Sequence, residues 1–75
     1  MFGIKREIVE RLKKEYPEGT RVRLIHMNDP YRTIPGGTEG TVTGVDDIGT
    51  IHVSWDCGSS LGVVYGEDSC RRIDP

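Results

Sequence analysis

At Pro17-Glu18-Gly19 the spacing of the apolar residues changes, and this constrains the fold more than any other feature of the sequence. Before that point Ile4, Ile8, Val9, Leu12 and Tyr16 fall at i, i+4, i+5, i+8 and i+12, which is one face of an α-helix over residues 4–16. The rest of the circumference is charged, with Glu7–Arg11 and Glu10–Lys14 at supporting i,i+4 spacing. Pro17 ends the helix, because it restricts Tyr16 to extended backbone and brings no N–H of its own. Beyond it the apolar period drops to two. In residues 20–27, Val22 and Leu24 share one face of a strand and Arg21, Arg23 and Ile25 the other.

Four more strands follow the same rule, at residues 38–45, 49–56, 61–65 and 70–73, each bounded by glycine, proline or aspartate. Asp46-Asp47-Ile48-Gly49 carries the turn chemistry of a hairpin. A turn centred on Asp47 and Ile48 sets Val42 opposite Val53, Gly44 opposite Ile51 and Gly40 opposite Trp55. Large residues then face small or β-branched ones, as the inside of a tight barrel requires. Val22, Leu24, Val42, Ile51, Val53 and Trp55 form the expected core, while Thr41, Thr43, Thr50, His52 and Ser54 take the opposite face. The expectation is a mainly β domain: a five-stranded small barrel over residues 18–75, preceded by one amphipathic α-helix and linker at 1–17.

A chain of 75 residues holds one domain with a small core. Twelve acids against ten bases give a net charge of -2, which argues against wholesale binding of free nucleic acid. No apolar run spans a membrane, and Met1 to Arg6 runs into the charged helix without a signal-like stretch, so the expected location is cytoplasmic. In that reducing setting Cys57 and Cys70 are read as free thiols.

Three stretches carry a resemblance: Gly19-Thr20-Arg21-Val22-Arg23-Leu24, Gly37-Thr38-Glu39-Gly40-Thr41-Val42, and Ile51-His52-Val53-Ser54-Trp55-Asp56 followed by a glycine turn. Together they resemble SH3-like small barrels of the KOW type, in which a glycine-bounded first strand leads to EGTV and V.WD.G strands. Residues 16–73 as a whole resemble domain of unknown function 4314, a bacterial and phage family. The matching segments are Tyr16-Pro17-Glu18-Gly19-Thr20, Asn28-Asp29-Pro30-Tyr31, Val45-Asp46-Asp47-Ile48-Gly49-Thr50, Trp55-Asp56 with Gly58-Ser59, and Gly66-Glu67-Asp68. Two positions depart from the pattern: Cys57 stands where relatives have a turn Asn, and Cys70 where they have an aromatic residue.

No nucleophile–base string accompanies His26 or His52, so the expectation is a non-enzymatic protein. The ten-residue stretch 28–37 takes the place of the recognition loop in SH3-like barrels. Tyr31, Arg32 and Ile34 in it are either contacts for a partner or a lid over the core. Asp46 and Asp47, with Asp29, Glu39 and Asp56, offer acidic charge to a basic partner. His52, Cys57 and Cys70 are the zinc-ligand types present, and a metal site is set against a reading of His52 as a surface residue. Arg21, Arg23, Arg32, Arg71 and Arg72 form either a basic patch or, with Glu18, Glu67, Asp68 and Asp74, a mixed solvated surface.

The expected function is protein binding. The phage membership of the resembled family, with small size and acidic balance, suggests a mobile-element accessory protein that inhibits a host nucleic-acid-handling defence protein, a CRISPR effector among them. A KOW-like nucleic-acid or ribosome-associated module, and a small zinc-containing structural domain, are the alternatives.

Overall fold

The computed structural model describes residues 5–27 and 34–73. Helix α1, Arg6–Glu15, precedes β1 (Arg21–His26), β2 (Glu39–Val45), β3 (Thr50–Trp55), β4 (Gly62–Val64) and β5 (Ser69–Arg72). The elements match the sequence expectation to within two residues at each end outside the helix start. Val9 and Leu12 are the buried residues of α1, and Ile8 and Tyr16 pack partly beneath it. The Tyr16 N–H still reaches the Leu12 carbonyl at 2.8 Å before Pro17 stops the ladder.

Pro17-Glu18-Gly19-Thr20 and Pro35-Gly36-Gly37-Thr38 build the same turn twice, one entering β1 and one leading into β2. In each, the proline carbonyl accepts both the threonine N–H, at 3.0 and 3.2 Å, and the threonine Oγ1–H, at 2.6 and 2.7 Å. The third position has φ of 94° at Gly19 and 90° at Gly37, left-handed backbone that glycine adopts without strain.

The strands form one antiparallel sheet in the order β4-β3-β2-β1-β5. Val22, Leu24, Val42, Ile51, Val53, Trp55 and Val63 line one face and are buried, with Leu12 of the helix and Ile34 completing the cluster. Every residue of the expected core is there. The indole N–H of Trp55 donates to the Leu61 carbonyl at 2.9 Å, so the ring is buried without an unmet donor.

Gly40 lies opposite Trp55 and Val42 opposite Val53, as the sequence predicts. The third pair differs. An extra residue on β2 between Val42 and Gly44 forms a bulge, so Gly44 faces His52 and Val45 faces Ile51. The bulge returns Val45 to the core side, where it packs against the cluster.

The expected SH3-like closed barrel is not what forms. β4 and β5 are the two edges of the sheet, and among the described residues no ladder joins them. The turn after β4 supplies the reason. The Val64 N–H donates to Asp68 Oδ2 at 3.0 Å, and the Val64 carbonyl accepts the Glu67 and Asp68 N–H groups at 3.1 and 2.9 Å. The chain thus folds back over the free edge of a three-residue strand, using the groups a β4–β5 ladder would need. The seam is flanked by the second half of α1, across a cavity of about 320 Å³ lined by Leu12, Tyr16, Ile51, Val63, Tyr65 and Cys70 among others.

Candidate functional site

Alternation places Arg21 and Arg23 of β1, Glu39 of β2 and Arg71 of β5 on the face of the sheet opposite the core, and the register sets them in rows. Arg71 faces Arg23 across β5–β1, and Arg23 faces Glu39 across β1–β2. Asp56 extends this row, its N–H bonded to the Glu39 carbonyl at 2.9 Å. In the next row Arg21 faces Thr41, which faces Ser54.

The side chains of these rows are tied together. Arg21 grips Asp56 with both terminal nitrogens, at 2.6 and 2.9 Å, and also donates to Thr41 Oγ1 at 2.9 Å. Its guanidinium lies 3.6 Å from Glu39, which in turn accepts from Arg23 at 3.1 Å. The result is an alternating chain of charge, Arg23–Glu39–Arg21–Asp56, with each side chain 40–56% exposed. Arg21 holds the Asp56 carboxyl below its usual range, and Asp56 raises Arg21 in return. A fork of this kind fixes both partners in one geometry, which an isolated lysine pair does not.

At the β2–β3 turn Asp46 acts as a structural bracket. Its Oδ1 accepts the Ile48 and Thr50 N–H groups at 3.1 and 2.9 Å, and its Oδ2 lies 2.9 Å from His52 Nε2. Partial burial works against the charge, but the Thr50, His52 and Ile48 hydrogen bonds outweigh it, so the carboxyl sits low. Asp47 is bound to Lys13 of the helix at 2.8 Å, which also lowers it.

The residues singled out from sequence therefore separate. Tyr31 and Arg32 lie outside the described residues. Ile34 is only 4% exposed and packs into the core cluster. Asp47 is engaged by Lys13, and Glu39 and Asp56 by arginines, so none of these three acids presents a lone charge, while Asp46 is hydrogen-bonded at its turn and to His52.

His52, Cys57 and Cys70 are not brought together. His52 lies between two inward residues of β3 and is exposed, and Cys57 is exposed in the turn after that strand. Cys70 faces Leu24 on the far edge of the sheet, on its core side. Burial pushes the Cys70 thiol up to about 11, and both cysteines are free. Among the described residues no three His, Cys, Asp or Glu side chains cluster as metal ligands would.

The family model of a domain of unknown function, DUF4314, matches residues 5–73. The chain belongs to the DUF4314 family. The match runs through α1 and all five strands, so helix and sheet are parts of one DUF4314 unit. No curated protein matches the chain. No helix among the described residues of this DUF4314 domain is long and apolar enough to cross a membrane.

Sequence reasoning had all four members of the ionic chain in view and did not pair them. Arg21 and Arg23 read as a basic patch or part of a mixed solvated surface, Glu39 and Asp56 as acids that steer a partner or only solubilise the hairpin ends. The signal that could have joined them was the hairpin register: Gly40 opposite Trp55 places Glu39 beside Asp56.

Proposed function

We propose that the domain is a non-enzymatic protein-binding module whose contact surface is the uncovered face of the sheet. One observation carries this. The inner face is consumed by the core, while the outer face stays open and carries charged side chains already locked by mutual hydrogen bonds. Binding to such a surface avoids much of the cost of ordering long side chains on contact. No polar or charged side chain is buried among the described residues, so the polar chemistry of this part of the chain lies at the surface.

The same pairing favours a protein over a nucleic acid as partner. A phosphate at Arg21 or Arg23 would have to displace Asp56 or Glu39, and a polyanion laid along the row would meet both carboxylates. The proposed biological setting is a phage or mobile-element accessory protein that inhibits a host nucleic-acid-handling defence protein. Its support is the small size and slight acidity of the chain.

Affinity capture from a bacterial lysate, with and without nuclease treatment, tests the reading when run beside Ser54→Arg. Ser54 is exposed on this face, in the row with Thr41 and Arg21, so the arginine blocks contact without entering the core. The expected result is a host protein retained after nuclease treatment and lost from a Ser54→Arg variant that melts like wild type. Retention of nucleic acid alone, or capture indifferent to Ser54→Arg, overturns it.

A further inference from the structure

We propose that Arg71 and Arg23 form the seat for a single carboxylate on an acidic, partly apolar segment of the partner protein; this rests on the sheet face being the contact surface. The two arginines are direct cross-strand neighbours on β5 and β1. Like charges set opposite each other destabilise an antiparallel pair, so the arrangement calls for an anion between them. Arg23 has Glu39 on one side only, at 3.1 Å, on the flank away from β5. Arg71 is exposed and makes no ion pair with the described residues. The ionic chain ends at Arg23, and beyond it the row carries one more arginine at the sheet edge without a counter-ion among the described residues, where the next alternating charge would be negative.

The surroundings define the ligand further. Two residues along β1 from Arg23, Ile25 is the extra residue of a bulge against β5 and is 52% exposed. Bulges re-aim side chains, and Ile25 offers an exposed apolar side chain on the strand that carries Arg23. An acidic residue with an aliphatic neighbour matches that pair of features. Glu39 and Asp56 continue the row beyond Arg23, so the seat takes one anion and not a string of phosphates. A second copy of this chain laid edge to edge along β5 would bring Arg71 and Arg72 towards their own counterparts, which like-charge repulsion opposes.

The test is an NMR titration of the full chain with a short peptide alternating glutamate and leucine, its glutamine counterpart, and a single-stranded oligonucleotide. The expected result is that the glutamate peptide shifts the Arg23, Ile25 and Arg71 resonances and the glutamine peptide does not. Arg71→Glu, on an exposed residue, should weaken that binding by about tenfold or more at a melting temperature equal to or above wild type, since it relieves the like-charge pair with Arg23. Arg71→Lys should recover part of the loss. Shifts confined to Thr43, His52 and Ser54 overturn the seat while leaving the face as the contact surface. No shift with the glutamate peptide, equal shifts with both peptides, or tighter binding of the oligonucleotide at Arg71 each overturn it as well.

Discussion

Alanine at two glycines of one strand gives opposite outcomes. At Gly40 an added Cβ would lie 2.7 Å from Val53 Cγ1, 2.9 Å from the Ser54 carbonyl oxygen and 2.9 Å from Trp55 Cε3. A backbone carbonyl and a buried indole cannot rotate away, and Val53 is β-branched and packed, so the sheet itself has to give. Overpacking of this kind costs about 1–3 kcal/mol, and three simultaneous approaches place Gly40→Ala in the upper half of that range. Relief of glycine's chain entropy returns about 0.5–1 kcal/mol, leaving a net loss of about 2 kcal/mol. For a domain of this length that is about 8–16 °C in melting temperature. At Gly44 nothing lies within 4 Å of the same Cβ, so Gly44→Ala should fall within about 0.5 kcal/mol of wild type. The assay is thermal and urea denaturation followed by the fluorescence of the single tryptophan, Trp55, which itself reports the contact. Equal losses at the two positions, or a neutral Gly40→Ala, would refute the packing of Trp55 across β2.

Acid should unfold the domain through its paired carboxylates. Asp46, Asp47 and Asp56 all have folded-state pKa values below their ordinary one, so their contribution is fully present above the ordinary carboxylate range. It is lost as pH falls through the folded-state values, and melting temperature should decline below about pH 4. Asp46→Asn should flatten that decline while lowering stability at neutral pH; an unchanged profile would contradict the bracket drawn at the β2–β3 turn. The two thiols should differ sharply towards a disulfide reagent at pH 8. With Cys70 at about 11, only about one thiol in a thousand is ionised there, while exposed Cys57 reacts freely. One fast thiol, removed by Cys57→Ser, is expected in the native protein, and two fast thiols would contradict the burial of Cys70.

How far the sequence discloses this molecule depends on the range of the interaction involved. Local patterns are legible: Pro17 stops the helix, alternation sorts Val22 and Leu24 from Arg21 and Arg23, and the Asp46–Gly49 turn aligns Gly40 with Trp55. The bulge in β2 is not, because Gly44 is as compatible with facing Ile51 as with facing His52. Closure of the barrel is not legible either. It depends on whether Val64 bonds to β5 or to its own turn, and Asp68, which decides this, looks in sequence like any turn aspartate. Ion pairs suffer most. Asp56 and Glu39 read as exposed acids near turns, and only the folded register shows that Arg21 and Arg23 neutralise them. Ile34 shows the converse, an apolar residue in a proline- and glycine-rich stretch that the small core recruits.

On the proposed function, the partner binds the open polar face of the sheet and not the helical side. Cross-saturation NMR on the complex with the captured partner tests it most directly, since it reads which residues lie against the bound protein. Strong transfer is expected to Arg23, Thr41, Ser54 and Arg71, with Arg11, Lys14 and Glu15 on the helix untouched. Transfer centred on the helix, with the sheet face silent, would contradict it.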